Sequence, residues 1–163
     1  MSASFRIRLY APTDLPAACS LLNALQEAEC AMESNRAHWP DGAAAYTEWM
    51  LSEAAANKGA IFIAESNEGA PIGLASCWRV EDASDTTVIA AARVHLYVSD
   101  LVVVEQWRGR GVAGRLLAEA ERHGRALGLA QMTIGVLSAN DAARRAYAKA
   151  GFEDYEMLLR KRL

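Results

Sequence analysis

The sequence predicts a mixed α/β fold, in which a mostly antiparallel sheet carries helices on both faces. Short β-rich runs follow one another across turns of a few residues in the middle of the chain, as in hairpins. Later, strand-like and helix-like runs alternate, which indicates a parallel crossover. The 163 residues are 52% hydrophobic and 23% charged, values typical of a globular domain. We therefore expect residues 1–163 to form a single domain.

The N-terminal part predicts one strand followed by two helices. Residues 5–9 alternate in polarity, as a short strand does. Asp14 and Pro16 supply a cap and a first-turn proline for a helix over residues 15–31. A turn-rich stretch then precedes a second helix over residues 43–57, which ends before Gly59.

The middle of the chain predicts three strands. Residues 60–65 and 72–80 are β-rich and are separated by SNEGAP, so they form a hairpin. The polar turn EDASD at residues 81–85 leads into a long third strand over residues 87–104. The alanines 90–92 suggest a bend there, because strands of this length are rarely straight.

The last third predicts a helix, a strand, a helix and a final strand. An amphipathic helix begins at Val112 and stops at Gly128. QMTIGVL, residues 131–137, reads as a strand, and SAND caps a helix that runs to about Ala150. Residues 152–160 read as the last strand, so the complete order is β-α-α-β-β-β-α-β-α-β.

Composition narrows the function classes. The N-terminal sequence has no apolar signal region, and no run of about 18 apolar residues occurs, so we expect a cytoplasmic protein without a membrane span.

The net charge of -3 hides a division: residues 1–92 hold 5 Lys+Arg and 12 Asp+Glu, whereas residues 93–163 hold 12 Lys+Arg and 8 Asp+Glu. The pattern is either ordinary surface or a protein that holds a polyanion with its second half and a cation with its first. No nucleic-acid partner is expected, because the basic residues are few and lack interleaved aromatics.

Cysteine and histidine do not form a metal-binding pattern. The cysteines lie in helix-like or strand-like runs without a C-x-x-C pair, and the histidines are scattered. We expect neither a disulfide nor a metal site, and a buried hydrophobic role for a cysteine is favoured over a nucleophilic one. The residues concerned are Cys19, Cys30, Cys77, His38, His95 and His123.

One glycine-rich stretch, VVVEQWRGRGVAGRLL at residues 102–117, carries the main functional signal. Its glycines have the spacing G-x-G-x-x-G, which is also that of a dinucleotide-binding turn. A nicotinamide or flavin site is nevertheless disfavoured. Four residues separate Val104 from Gly109, no carboxylate stands at the end of the next strand near Ser138, and too few residues remain for a doubly wound sheet.

The same stretch predicts an anion cradle. Successive backbone amides at the start of a helix can converge on a phosphate, and nearby arginines add full positive charges. A pyrophosphate suits such a site. The residues expected to contact it are Arg108, Gly109, Arg110, Gly111, Val112, Ala113, Gly114 and Arg115.

Three segments together resemble the GCN5-related N-acetyltransferase (GNAT) superfamily. The family's coenzyme A loop, Q/R-x-x-G-x-G/A, appears as QWRGRG at residues 106–111, after the strand DLVVV and before SANDAARRAYAKAGF at residues 138–152. The resemblance implies acetyl-CoA as co-substrate. It also implies six to seven strands, about four helices and a splay between two central parallel strands.

The resemblance further assigns residues to the pantetheine arm of acetyl-CoA. Its two amides would pair with the backbone of Leu101, Val102 and Val103, because a splayed strand edge leaves donors and acceptors unpaired. Asn140 and Tyr147 match the asparagine and tyrosine of the family's downstream motif. From the residues alone, Asn140 is equally well a helix cap and Tyr147 an aromatic that packs its helix onto the sheet.

The expected reaction is direct acetyl transfer to a primary amine of a small molecule or peptide. Tyr147 resembles the residue that protonates the leaving thiolate. An aliphatic amine, with a pKa of about 10, must lose a proton before it attacks. Asp100, within Ser99-Asp100-Leu101, is the candidate base, with His95 or water as alternatives, since the family pattern has an acidic residue where Ser99 stands.

The acceptor is expected beside the two N-terminal helices and the loop near EDASD. The acidic residues there favour a cationic amine, although a solvated helix face explains them equally well. Trp39 and Trp49 belong either to this pocket or to the core. The alternative function is a non-catalytic coenzyme A-binding or regulatory module of the same fold, and a structural or interaction protein that binds no coenzyme A also stays open. A homodimer is a further expectation. The acidic residues are Glu27, Glu29, Glu33 and Glu48.

Overall fold

A computed structural model describes residues 4–82 and 87–161 of the chain. Within these residues a five-stranded sheet is accompanied by four α-helices. No helix in the described part of the chain combines the length and the apolarity needed to cross a membrane. The elements are β1 (Phe5–Leu9), α1 (Leu15–Met32), α2 (Ala44–Ala56), β2 (Ala60–Ser66), β3 (Pro71–Glu81), β4 (Val94–Val103), α3 (Val112–Ala126), β5 (Met132–Ile134) and α4 (Asp141–Lys149).

The strands lie in the order β1-β2-β3-β4-β5. The first three pairs are antiparallel, and β4 pairs with β5 in parallel. The predicted mixed, mostly antiparallel sheet is therefore confirmed, as is the hairpin formed by β2 and β3. The single parallel pair follows from the helical crossover through α3.

The strand count corrects the expectation of six to seven strands. Residues 152–160, expected as the last strand, form no strand. β5 covers only three of residues 131–137, and β4 begins at Val94, after a 3-10 turn over the alanines 90–92 where a bend was expected. Because no described strand follows β5, the parallel pair lies at the edge of the sheet and not at its centre.

Two hydrophobic clusters cover the two faces of the sheet. The first cluster packs α3 and the Tyr147 side of α4 against the sheet, around Leu96, Val98 and Leu116. The second cluster packs α1 and α2 against the other face, around Leu22 and Met50. Helices on both faces are therefore confirmed, and β4 lies between the two layers.

The three cysteines are free thiols that lie within these elements. Cys77 is buried in the first cluster, and burial raises the pKa of its thiol to about 11. Cys19 and Cys30 are half-buried on α1. A thiol with a raised pKa is a weak nucleophile at neutral pH, in agreement with the expected packing role of Cys77.

Candidate functional site

A β-bulge in β4 shapes the centre of the sheet. Ser76 of β3 pairs with Asp100 and Cys77 pairs with Val98, so Ser99 is an extra residue without a partner on β3. Because side chains alternate along a strand, Val98 and Leu101 would lie on opposite faces of β4 without the extra residue. With it, both contact the first cluster, whereas Val102 belongs to the second cluster. As a consequence Asp100 faces α2.

Beyond this bulge, β4 has an open edge. Among the described residues, β4 and β5 pair only through Leu96, Tyr97 and Val98, so β4 continues there without a partner on that side. The expected splay of two parallel strands is present at this point. An open edge leaves backbone N–H and C=O groups available to a bound molecule.

The hydrogen-bond pattern identifies which backbone groups face the open side. The Val104 N–H donates to the Ile72 carbonyl at 3.0 Å, which makes these two residues a hydrogen-bonded pair. Because such pairs alternate along an antiparallel ladder, Val102 also turns its backbone towards β3, and Leu101 and Val103 turn theirs to the open side. Of the three residues expected to pair with pantetheine, Leu101 and Val103 have the geometry for it.

The glycine turn connects the open edge of β4 to α3. Gly109 and Gly111 adopt left-handed backbones with φ of 72° and 84°, conformations that favour glycine. No side chain caps the N-terminus of α3, so the first N–H groups of that helix point outward with the positive end of its dipole. A Cβ added at Gly114 would meet no heavy atom within 4 Å. The turn therefore has donors, positive potential and space for a diphosphate.

The arginines of this turn occupy three different positions. Arg108 Nε donates to the Val103 carbonyl at 3.1 Å, at the open edge. The guanidinium of Arg110 lies 5.5 Å from the Trp107 ring centroid, and that of Arg115 lies at the same distance from Phe5. All three side chains are exposed. Arg108 is the one that contacts the strand edge directly.

The two residues taken from the downstream motif lie on α4. Asn140 Oδ1 accepts the Ala143 N–H at 3.0 Å, so the helix-cap reading of Asn140 is confirmed. Tyr147 packs against the first cluster and lies 5.9 Å from the Phe152 ring, so its packing role is present as well. Burial, with a further contribution from Glu29, raises the pKa of Tyr147 to about 12. Its phenol therefore keeps its proton at neutral pH and can donate it.

Asp100 is buried, with 4% of its surface exposed, and both carboxylate oxygens accept hydrogen bonds. Ser76 Oγ donates to Oδ2 at 2.6 Å, and the Tyr46 hydroxyl donates to Oδ1 at 2.8 Å. Burial raises the pKa of the Asp100 carboxyl, while hydrogen bonds from Ser76, Tyr46 and Ser99 act in the opposite direction. A buried carboxylate of this kind binds a proton more readily than an exposed one.

His95, the alternative base, lies at the far end of β4. It pairs with Val80, and its Nδ1 is 3.9 Å from an Asp82 carboxylate oxygen. Five residues of strand, roughly 16 Å, separate it from Asp100. The structure therefore does not bring His95 to the open edge.

An aromatic row extends from the loop before α2 to β4, on the face of the sheet that α1 and α2 cover. Neighbouring ring centroids lie 4.9 to 6.0 Å apart along it. Trp49 is 45% exposed, whereas Trp78 is buried and the other members are half-buried against the second cluster, so Trp49 is the member of the row most open to solvent. The row consists, in order, of Trp39, Tyr46, Trp49, Trp78 and Tyr97.

Three of the four glutamates expected near the acceptor have cationic or potentially cationic partners within the chain. A carboxylate oxygen of Glu27 lies 3.1 Å from His38 Nδ1. The corresponding distances are 3.2 Å from Glu29 to Arg36 Nε and 2.9 Å from Glu33 to a terminal guanidinium nitrogen of Arg160. Glu48 is exposed on α2. Residues 83–86, within the loop near EDASD, lie outside the described residues.

Tyr46 and Ser76 were not identified from the sequence, although both contact Asp100. Tyr46 is 54 residues and Ser76 is 24 residues from Asp100 in the chain. No local motif contains either residue. The only signal would have been the predicted antiparallel pairing of β3 and β4, which places a polar residue of one strand opposite Asp100.

Comparison with known proteins identifies the family of this arrangement. Residues 22–152 match the model of the acetyltransferase (GNAT) family. The uncharacterized N-acetyltransferase YycN of Bacillus subtilis (strain 168) is 28% identical over 67 residues. That match covers 41% of the chain and 43% of YycN, less than half the length of either protein.

Solved structures share the fold. A mutant of the BH1408 protein from Bacillus halodurans aligns with a TM-score of 0.86 at 18% identity, covering 97% of the chain and 99% of that protein. The aminoglycoside N-acetyltransferase AAC(6')-Iy, in complex with CoA, aligns with a TM-score of 0.73 at 23% identity. This alignment covers 100% of the chain and 97% of that protein. At these identities the likeness shows the fold alone.

Proposed function

The chain belongs to the acetyltransferase (GNAT) family, and from this premise we propose that it is an acetyl-CoA-dependent N-acetyltransferase. It transfers the acetyl group directly to a primary amine of a small molecule or peptide. The observation that carries the proposal is the continuity of the open edge of β4 with the glycine turn. Leu101 and Val103 expose backbone groups on the same path that leads to the uncapped N-terminus of α3.

The residues present fit acetyl-CoA along this path. The outward N–H groups of α3 and the two left-handed glycines suit its diphosphate, and the open groups of Leu101 and Val103 suit the amides of its pantetheine arm. Acetyl-CoA, when bound, supplies the thioester that is attacked. Arg108 lies where the two parts meet. Asn140 stays a candidate contact through its amide nitrogen, because its Oδ1 already accepts a backbone N–H.

The residues of the chain then have three tasks in the transfer. A backbone N–H of the open edge, that of Leu101 or of Val103, stabilises the negative charge that develops on the thioester oxygen. Tyr147 keeps its proton at neutral pH and donates it to the departing sulfur. Asp100 lies on β4 next to Leu101 of the open edge, and it receives a proton from the amine side.

A cationic amine is the acceptor class that we propose. The helices on the acceptor face carry Glu27, Glu29, Glu48 and Glu53, and no lysine or arginine. The half-exposed Trp49 offers an aromatic face that attracts cations. The aminoglycoside N-acetyltransferase AAC(6')-Iy shares the fold, which makes a polycationic acceptor a reasonable first probe.

Calorimetry with acetyl-CoA and with NADH tests the cofactor assignment, and release of free thiol in the presence of amines tests the reaction. We expect acetyl-CoA to bind and NADH not to bind, with thiol release on addition of neamine, spermidine or a glycyl peptide. Acetyl-CoA binding without turnover on any amine would instead support the non-catalytic coenzyme A-binding module. Tight binding of NADH without binding of acetyl-CoA would refute both functions.

A further inference from the structure

The contact between Tyr46 and Asp100 raises the question of which group meets the acceptor. Asp100 is 4% exposed, and its two oxygens are taken by Ser76 and Tyr46. Although each carboxylate oxygen can accept a further hydrogen bond, so little of Asp100 is exposed that an incoming amine has almost no access to it. Tyr46, in contrast, is half-buried on α2 and is the more exposed member of the pair.

The Tyr46 oxygen keeps one lone pair that can accept a further hydrogen bond. A phenol has one proton and two lone pairs, and the proton of Tyr46 is donated to Asp100 Oδ1 at 2.8 Å. A hydrogen bond from the Ser99 side chain, which acts to lower the pKa of Tyr46, uses one lone pair, and the other can accept an N–H from an ammonium group. The ring cannot swing away easily, because Trp39 stacks on it at 4.9 Å and Trp49 lies against it at 5.1 Å.

We propose that Tyr46 is a catalytic residue that relays the proton of the acceptor ammonium to Asp100. The proposal rests on the proposed function, because it assigns a role in amine acetylation. It places the contact with the amine on α2, a helix to which no catalytic residue was assigned above.

The relay accounts for every proton. The ammonium gives one proton to Tyr46 Oη while the proton of Tyr46 passes to Asp100 Oδ1, and Asp100 later releases it to solvent by the same route. The neutral amine forms the N–C bond as the C–S bond breaks, and the sulfur leaves with the electron pair and takes the proton of Tyr147. The nitrogen loses its second proton in this step, and that proton restores Tyr147. The balance is an amide, a free thiol and one proton released.

The surroundings of Tyr46 and Asp100 favour proton transfer from the amine towards Asp100. Burial raises the pKa of Asp100, so the carboxylate accepts a proton more readily than an exposed aspartate. The other titratable groups that face the pair are Tyr97 on β4 and, beyond it, Glu29 on α1. Burial and the charge of Asp100 raise the pKa of Tyr46, so it remains a phenol and passes protons without becoming a phenolate.

The test measures acetyl transfer to neamine and to spermidine for the unsubstituted protein and for Tyr46→Phe across pH 6 to 9.5. Tyr46→Phe keeps the ring in its stack and removes the hydroxyl group, and with it both the relay and the hydrogen bond to Asp100. We expect kcat/KM for the amine at pH 7 to fall about 100-fold, in the range of general acid–base catalysis. The loss should shrink below about tenfold at pH 9.5, where much more of the amine is already neutral. The affinity for acetyl-CoA should not change.

A double-mutant cycle with Asp100→Asn separates a relay from two independent effects. If Tyr46 and Asp100 act as one unit, the double variant loses no more activity than the more damaged single variant. Tyr10→Phe removes another half-buried phenol, outside the site, and should leave activity unchanged. Thermal melting of each variant reports whether it folds.

The outcomes distinguish the relay from the proposed function. Equal losses at pH 7 and pH 9.5, undiminished activity of Tyr46→Phe, or full additivity in the cycle would refute the relay and leave the acetyltransferase intact. Failure of the unsubstituted protein to acetylate any amine would refute the proposed function and the relay with it. Losses that depend on pH and are not additive would support the relay.

Discussion

Gly111 and Gly128 stand just outside the two ends of α3, with left-handed φ of 84° and 75°. An alanine at either position costs about 1 kcal/mol of stability, because a Cβ is strained in this conformation. Of the two, only Gly111 lies in the proposed phosphate cradle. We therefore expect Gly111→Ala to weaken acetyl-CoA binding about tenfold, as measured by calorimetry.

The matched variant Gly128→Ala separates strain from ligand contact. Gly128→Ala should lower the melting temperature about as much as Gly111→Ala does, and it should leave the affinity for acetyl-CoA unchanged. A Cβ meets no heavy atom within 4 Å at either position, so neither variant introduces a clash. Equal affinity losses in the two variants would contradict the assignment of the cradle to the N-terminal end of α3.

Tyr147 is expected to act through its proton. Tyr147→Phe keeps the ring in the first cluster and removes the hydroxyl, so turnover should fall about 100-fold while acetyl-CoA binding is kept. The rate of thiol release at saturating acetyl-CoA measures turnover, and calorimetry measures acetyl-CoA binding. Tyr155→Phe, at an exposed tyrosine, is the control. Unchanged turnover in Tyr147→Phe would remove Tyr147 from the mechanism.

At the scale of residues, the sequence predicted what local geometry determines. Gly109 and Gly111 were recognisable because a tight turn before a helix requires glycine, and Asn140 because a helix cap has a local signature. The partners of Asp100 were not recognisable. Tyr46 reaches it from another layer, through the packing of α2 on the sheet, and no local rule encodes such a contact.

At the scale of elements, a charge cluster ties β1 to β2 and to the start of α1. Arg8 bridges Asp14 at 2.6 Å and Glu65 at 2.6 Å, and Arg6 also bonds Glu65. The two carboxylates are largely inaccessible to solvent. Hydrogen bonds from Arg8, together with Arg6 in the case of Glu65, lower the pKa values of Asp14 and Glu65.

These lowered pKa values predict a loss of stability in acid. Because the folded-state pKa values lie below those of the unfolded chain, the stabilising contribution is complete above the ordinary carboxyl range near pH 4 to 5. It is lost as the pH falls through the lower folded values. We expect the free energy of unfolding to decrease below about pH 5, and to decrease less in Glu65→Gln.

Denaturant unfolding at pH 7, 5 and 3.5 measures this difference. Glu81→Gln breaks the partly exposed pair with Arg79 and should keep the pH dependence of the unsubstituted protein, because such pairs contribute little. Asp100, whose pKa is raised, contributes in the opposite direction. It is present in all three proteins, namely the unsubstituted protein, Glu65→Gln and Glu81→Gln, so its contribution cancels in the comparison. Identical pH dependence in all three proteins would show that the cluster does not stabilise the fold.

Elements whose ends are marked by periodicity and turn residues were predicted closely, whereas the strand predicted at residues 152–160 does not form. α1, α2, β2 and β3 begin and end within one or two residues of expectation, because periodicity and turn residues mark them. Residues 152–160 have the composition of a strand but pair with nothing in the described chain. A strand is defined by its neighbour, so composition alone could not locate it.

At the scale of the whole molecule, the charge division along the sequence becomes a division between the faces of the sheet. α1 and α2 on one face carry four Asp+Glu and no Lys+Arg. α3 and α4 on the other face carry six Lys+Arg and three Asp+Glu. The open edge of β4 lies between these faces. This arrangement supports an anionic co-substrate on one side and a cationic acceptor on the other.

The segment at residues 152–161 concentrates exposed apolar surface that a monomer leaves uncovered. Four large side chains within five residues are 74 to 96% exposed, namely Tyr155, Met157, Leu158 and Leu159. The segment also follows α4 directly and forms no strand, while β5 has an open edge. Open edges and apolar patches of this kind are typical of association sites. We therefore expect a homodimer in which this segment covers the same region of a second copy.

Sedimentation velocity at about 1 to 50 μM protein tests the dimer, since mass action makes it depend on concentration. The double variant Leu158→Lys with Leu159→Lys should sediment as a monomer, because charges at an apolar interface are costly to bury. Leu9→Lys alters an exposed leucine on the opposite edge strand, β1, and should remain dimeric. A monomer at every concentration of the unsubstituted protein would refute the dimer. Dissociation by Leu9→Lys alone would instead place the interface at β1.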